Sequence, residues 1–236
     1  PKLLLINVGL PAGRPGVAGV ATMEPLGLAY VAAMTPADWD VEIVDEVAGD
    51  RPRGPAPDLV GITALTPTAP RAYAVAAEWR RRGVPTVLGG MHATFCPDEA
   101  ADYVDAVFCG EAEAGWPAVI ADFAAGRLAR RYDAGVAVLA AAPAPRRDLY
   151  RHRYRVGLIS ASRGCRHRCE FCAIWKFDAG RYRTRPVAAV LDELAGLPAS
   201  PVLLFTDDNI YTDRDHALAL FRGMRERRRS RRFAVQ

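Results

Sequence analysis

Residues 58–90 read DLVGITALTPTAPRAYAVAAEWRRRGVPTVLGG, and this stretch decides the fold. Its first part, Asp58-Leu59-Val60-Gly61-Ile62-Thr63, reads as a strand. Arg71 to Arg82 reads as a helix, because Ala72, Val75, Ala76 and Trp79 recur at helical spacing. Gly83 ends that helix, and Thr86-Val87-Leu88 opens a second strand that stops at the pair Gly89-Gly90. Strand, helix and strand joined by short connections imply a parallel sheet.

The same alternation extends to both sides. Lys2 to Val8, KLLLINV, is a nearly continuous aliphatic run that suits a strand buried on both faces. A Gly- and Pro-rich stretch, 9–19, is too irregular for either period. Pro25 to Ala33 then reads as a short helix with proline in its first turn, and Val41 to Asp45 as a strand. Ala106 to Gly110 is a further strand, followed by a helix from Trp116 to Ala125. The expected fold is α/β: a doubly wound, Rossmann-like parallel sheet of five strands, with right-handed crossovers leaving few topologies.

Composition narrows the class of protein. The 236 residues are 50% hydrophobic, 25% charged and 8% aromatic, which suits a globular chain and excludes a disordered one. Lys2 and Lys176 are the only lysines, so 29 of the 31 basic residues are arginine (31 − 2), a coding habit rather than a nucleic-acid signal. The net charge of +4 is mild. No stretch reaches the roughly 20 apolar residues of a membrane span; Val136 to Ala144 is short and broken by Pro143. No leader of basic, apolar and small residues opens the chain, so a cytoplasmic location is expected. The run R-E-R-R-R-S-R-R at 225–232 follows a helical pattern over Ala217 to Met224 and reads as a solvated helix end. Nucleic-acid binding would want aromatics interleaved with the charge, and only Phe233 is near.

Ligands of such sheets bind beyond the carboxyl ends of the strands. Those ends carry Asn7, the hydroxyls of Thr63, Thr66 and Thr68, the Cβ-free Gly89 and Gly90, and Gly110 with Glu111. Neither G-x-G-x-x-G nor a Walker loop is present. His92, the one histidine in this half, reads either as a hydrogen-bonded turn residue or as a ligand contact. Cys96 and Cys109 read as small buried thiols.

This half resembles the cobalamin-binding domain found ahead of radical SAM domains. The resemblance rests on PLGLAYVAA at 25–33, DLVGITALT at 58–66, GGMHATF at 89–95 and GEAE at 110–113. Thr63-x-Leu65 and Gly89-Gly90 match the elements that line the pocket for the nucleotide tail, which adds Leu65 to the expected cobalamin contacts Asn7, Thr63, Thr66, Thr68, Gly89, Gly90, His92, Gly110 and Glu111. The Asp-x-His-x-x-Gly element is missing; NVGLPAG follows the first strand instead. The resemblance therefore implies cobalamin bound base-off, with no histidine below the cobalt, which favours chemistry at an accessible, strongly reduced metal.

From Gly126 to Arg155 periodicity fails and prolines accumulate at Pro143 and Pro145. The expected domains are 1–127, a linker over 128–155, and 156–236.

The last domain opens with Val156 to Ser160 as a strand, followed by ASRGCRHRCEFC. Three of the chain's five cysteines, Cys165, Cys169 and Cys172, stand in C-x-x-x-C-x-x-C on a loop. An odd cysteine count argues against a disulfide framework. Soft thiolates select iron–sulfur clusters or zinc, and zinc needs a fourth ligand, for which His167 lies within the motif. The loop resembles the radical SAM signature, with the aromatic Phe171 just before the third cysteine. That resemblance implies a 4Fe-4S cluster on Cys165, Cys169 and Cys172, one iron open to S-adenosylmethionine, and a backbone contact from Phe171 to its adenine.

Pro201 to Phe205 is the next strand, after a helix carrying Val187, Val190, Leu191 and Leu194 on one face. It ends in Thr206-Asp207-Asp208-Asn209, where many members carry Gly-Gly-Glu; Asp207, Asp208 and Asn209 are the expected S-adenosylmethionine contacts, or a helix-capping turn. Only two strands, two helices and the start of a third strand at Phe233 follow Val156, so the expected six-unit (βα)6 partial barrel is present in its first units and the chain reads as truncated.

The combination implies a cobalamin-dependent radical SAM enzyme, a methyltransferase acting on a weakly activated carbon or phosphorus centre of a small, natural-product-like substrate. It also implies an external electron donor of the flavodoxin or ferredoxin type. Two alternatives remain open: a cyclase or rearrangement enzyme without methyl transfer, and a cobalamin-sensing module with an inactive radical SAM part.

Overall fold

The computed structural model describes residues 1–10, 23–198, 200–227 and 232–235. Most of the irregular stretch 9–19 and the middle of the arginine run 225–232 lie outside the described residues. The chain forms two compact units. The first takes residues 25–137 with 1–10 and 143–151, and the second takes 152–235 with 23–24 and 138–142.

In chain order the first unit contains β1 (Lys2–Asn7), α1 (Leu26–Ala33), β2 (Asp40–Asp45), β3 (Leu59–Thr63), α2 (Ala69–Arg81), β4 (Thr86–Gly89), α3 (Met91–Phe95), α4 (Pro97–Tyr103), β5 (Ala106–Gly110), α5 (Trp116–Ala124) and β6 (Arg131–Gly135). All six strands are parallel, in the order β2-β1-β3-β4-β5-β6. The pattern of β1 explains its continuous aliphatic run. Leu4 and Ile6 join Val60, Ile62, Leu88, Ala72, Val75, Ala76 and Trp79 on one face of the sheet. Leu3 and Leu5 join Leu59, Val87, Phe108, Leu28, Ala29, Val119 and Ile120 on the other. Successive side chains point to opposite faces, so a strand covered on both sides must be apolar at every position. Each fully buried aliphatic side chain contributes about 1.5–3 kcal/mol.

Two differences from expectation stand out. The sheet has six strands, not five: β6 lies in the stretch read as linker and pairs Val107 with Arg131 and Phe108 with Tyr132. Its sequence, Arg131-Tyr132-Asp133-Ala134-Gly135, alternates exposed and half-buried positions, as an edge strand does. The connection from β4 to β5 is also helical, through α3 and α4, which are too short to show a helical period.

The second unit contains β7 (Val156–Ile159), β8 (Ser162–Arg163), α6 (Ile174–Phe177), β9 (Arg183–Thr184), α7 (Val187–Gly196), β10 (Val202–Phe205), α8 (Arg214–Glu226) and β11 (Phe233–Ala234). Its parallel sheet runs β11-β10-β7, and β8 pairs with β9 as a short antiparallel ribbon. The core joins Ile159, Leu203 and Phe205 to Val190, Leu191 and Leu194 of α7 and Ala217, Leu220 and Met224 of α8. Asp213 caps α8, its carboxylate accepting from His216 N at 3.0 Å. No helix among the described residues is long and apolar enough to cross a membrane.

Candidate cofactor sites

The strand order reverses direction at β1, which leads first to β2 on one side and then to β3 on the other. The carboxyl ends at this switch are where an open α/β sheet binds its ligand. The strand register sets Asp45, Asn7, Thr63 and Gly89 in one row across those ends. Asn7 Nδ2 donates to Asp45 Oδ1 at 2.8 Å, which fixes the amide at the mouth of the row. After β3 the chain turns over Thr66–Thr68. The Leu65 N–H donates to Thr68 Oγ1 at 3.1 Å, so the Thr68 hydroxyl holds the turn. The Leu65 side chain is exposed above it.

Gly90 has φ +91°, and a Cβ there would lie 2.8 Å from Thr63 Oγ1 and 2.9 Å from Ala64 O. Glycine is required at this position by both the backbone and the neighbouring loop. Gly89 differs. A Cβ there would meet its nearest neighbour, Phe108, at an ordinary 3.9 Å, so its missing side chain leaves room beside the strand end. Thr94, which sequence reasoning missed, ties the turn together: its hydroxyl donates to Gly90 O and accepts from Gly110 N, both at 3.0 Å.

His92, on α3, is 2% exposed, with its ring 2.6 Å from Tyr73 Oη and 3.4 Å from Thr66 Oγ1. Glu111, just after β5, is buried, and its carboxylate accepts from Ala137 N at 2.5 Å. Gly110 meets the end of β6 at Gly135.

In the second unit, Cys165, Cys169 and Cys172 follow β8 on a loop and are free thiols, Cys169 exposed and the other two half-buried. Cys172 N donates to Cys169 O at 3.0 Å, and Trp175 Nε1 donates to the same carbonyl at 3.1 Å. His167, within the same motif, is exposed. Phe171 is 94% exposed, its ring in contact with no core.

The polar end of β10 anchors this loop. Asp207 is fully buried; one oxygen accepts from the Ser162 hydroxyl, and the other from Ala161 N at 3.0 Å. Burial pushes its carboxyl above the usual carboxylate range, against the Ser162 and Ala161 bonds that favour the anion. Asp208 accepts from Gly164 N at 2.8 Å, and Asn209 Nδ2 lies 3.9 Å from Cys165 Sγ. Gly164 has φ +88°, and a Cβ there would collide with the Arg181 carbonyl oxygen. Asp207, expected as a ligand contact or as part of a capping turn, bonds the loop that leads into Cys165. Ser162 is the partner that sequence reasoning missed.

A polar row at the switch point of one parallel sheet, followed by a three-thiol loop beside a second parallel sheet, is the arrangement expected of a B12-binding protein with a cysteine-ligated cofactor. Comparison with known proteins agrees. Residues 17–120 match the B12 binding domain family. The chain is 31% identical over 205 residues to the bacteriochlorophyllide d C-8(2)-methyltransferase of Chlorobaculum tepidum, covering 78% of this chain and 46% of that one. It is 29% identical over 236 residues to the anaerobic magnesium-protoporphyrin IX monomethyl ester cyclase of Rubrivivax gelatinosus, covering 82% and 42%. In fold it resembles the radical S-adenosylmethionine methyltransferase TsrM of Kitasatospora setae, solved with cobalamin and a 4Fe-4S cluster bound. That match has a TM-score of 0.71 at 20% identity and covers 97% of this chain and 51% of the other. The chain thus carries a match to the B12 binding domain family over residues 17–120, and it spans about half the length of the curated relatives it matches.

Proposed function

We propose that the protein of which this chain forms part is a methyltransferase that uses cobalamin, a 4Fe-4S cluster and S-adenosylmethionine to methylate a weakly activated carbon or phosphorus centre of a small molecule. The observation that carries the reading is the order of the two sites: a Cβ-free strand end at the switch point, then three free thiols on a loop anchored by buried Asp207 and half-buried Asp208. When bound, the cluster supplies the electron that cleaves S-adenosylmethionine to a 5′-deoxyadenosyl radical, and cobalamin supplies the methyl group. The protein's own work is binding, orientation and exclusion of competing quenchers.

Gly89 leaves the space for the nucleotide tail, and Thr63 and Asn7 offer polar contacts beside it. Cys165, Cys169 and Cys172 would hold three irons and leave the fourth open. Asp207 and Asp208 keep the loop's backbone in place. The electron donor would be an external protein of the flavodoxin or ferredoxin type. Similarity to a methyltransferase in both sequence and fold favours methylation. Similarity to a cyclase keeps ring formation as the second reading.

The test uses the full-length protein, reconstituted anaerobically with iron, sulfide and cobalamin and given methyl-labelled S-adenosylmethionine and a low-potential reductant. Label transferred to the cobalt and then to product, with 5′-deoxyadenosine formed, supports methylation. 5′-Deoxyadenosine with a product of unchanged carbon count moves the reading to the cyclase. Cobalamin binding with neither iron nor 5′-deoxyadenosine would make the protein a sensor.

A further inference from the structure

We propose that His92, Cys96, Glu99 and Tyr73 form a binding site for one zinc-class divalent ion, separate from the cobalamin row and the cysteine loop. The imidazole of His92, the thiol of Cys96 and the carboxylate of Glu99 place their ligand atoms within 4.8 Å of one another. They lie four and then three residues apart across the junction of α3 and α4, where Cys96 leaves the helical backbone at φ −128°, ψ 52°. Cys96 N donates to His92 O at 2.8 Å and Ala100 N to Cys96 O at 3.0 Å, which ties the two short helices together. The Tyr73 hydroxyl arrives from α2 to lie 2.6 Å from His92 Nε2 and 3.0 Å from Glu99 Oε1.

The Tyr73 hydroxyl donates to Glu99, and its bond to His92 Nε2 takes its direction from the imidazole tautomer. Among the described residues, no lysine or arginine pairs with Glu99, whose carboxylate lies 3.8 Å from His92 Nε2. On the far side of the ring, Thr66 Oγ1 lies 3.4 Å from His92 Nδ1. A polar partner on the second ring nitrogen is what orients a metal-bound histidine.

Nitrogen, thiolate and carboxylate donors together suit a borderline-soft ion such as zinc. Zinc–ligand bonds of about 2.0–2.3 Å give tetrahedral edges of about 3.3–3.8 Å, so the cluster must contract by about 1 Å. Glu99 is exposed and Cys96 half-buried, and both can move inward while buried His92 stays fixed. The ion would clamp α2 onto the α3–α4 segment behind the Gly89–Gly90 turn. Its place in the fold is structural, and it rests on none of the cofactor assignments above.

Cobalt(II) and zinc are the probes, added to the cobalamin-free full chain in which Cys165, Cys169 and Cys172 are alanine, so that those thiols cannot compete. The expected result is one equivalent of cobalt, a thiolate-to-metal charge-transfer band, strong d–d bands of a tetrahedral site, and displacement by zinc. Cys96→Ser removes the charge-transfer band, and Glu99→Gln weakens binding at least roughly tenfold. No band, or a band that survives Cys96→Ser, overturns the site and leaves a hydrogen-bonded triad only. Should the alanine variant fail to fold, peptide mass analysis of the chain with all five cysteines replaces it. Zinc must slow alkylation of Cys96 in the parent and leave its rate unchanged in His92→Ala; an unchanged rate in the parent overturns the site equally.

Discussion

The carboxylate of Asp207 holds two donors of the loop that precedes Cys165, and Ala at this position would strand both. An unpaired buried donor costs about 1–3 kcal/mol, and the loss falls on the segment that must present three thiolates together. Asp207→Ala is therefore expected to lower iron per chain after anaerobic reconstitution, read by iron and sulfide assay, while cobalamin retention stays at the parent level. Equal iron content in the two would show that the loop does not depend on this anchor. A polar cluster after a strand reads the same in sequence whatever it bonds, which is why Asp207, Glu111 and His92 were legible as special positions while their hydrogen-bond partners were not. The deciding partners, Ser162, Ala137 and Tyr73, are 45, 26 and 19 residues away.

Glu42 gives a pH dependence at the same scale. Burial raises its pKa, but hydrogen bonds from Lys2, Arg53 N and Arg151 outweigh this and hold it below the ordinary carboxylate value. A carboxyl depressed in the folded state adds stability above its unfolded pKa of about 4.5 and loses it as pH falls through the folded value. Denaturant titrations of the parent and of Glu42→Gln should differ by about 2 kcal/mol at neutral pH. The two should converge on acidification below pH about 4. A gap that stays constant with pH would mean that the charge of Glu42 contributes nothing.

At the scale of elements, residues with a strong period were readable and those without one were not. α2 places Ala72, Val75, Ala76 and Trp79 on the sheet at helical spacing, and its buried face follows that pattern. Trp79→Ala opens the largest side chain of that face and should cost about 3–5 kcal/mol, measurable as a shift of the denaturation midpoint with unchanged slope. A cost under about 1 kcal/mol would be a surface value, at odds with burial. β6 escaped detection because an edge strand needs neither an apolar run nor β-branched residues. Arg131-Tyr132-Asp133-Ala134-Gly135 is carried by its ladder to β5 and by Tyr132, whose hydroxyl accepts from Ala129 N at 2.9 Å.

At the scale of the molecule, the two units have separate hydrophobic cores, one pair on the faces of the six-stranded sheet and one within the β11-β10-β7 unit. The local cause of each cofactor's binding is therefore confined to its own unit: Gly89 in the first, the three cysteines in the second. This makes a reciprocal pair of variants decisive for the proposed function. In the full-length protein, Gly89→Val fills the space beside β4 without reaching Gly90's positive φ, and should weaken cobalamin retention while iron content stays at the parent value. Cys165→Ala should abolish a stable cluster and 5′-deoxyadenosine formation while cobalamin, read by its visible spectrum after gel filtration, is retained. Loss of both cofactors in both variants would mean that a single site holds them. Retention of cobalamin in Gly89→Val would move the tail away from the strand-end row, and with it the part of the proposal that Asn7, Thr63 and Gly89 carry.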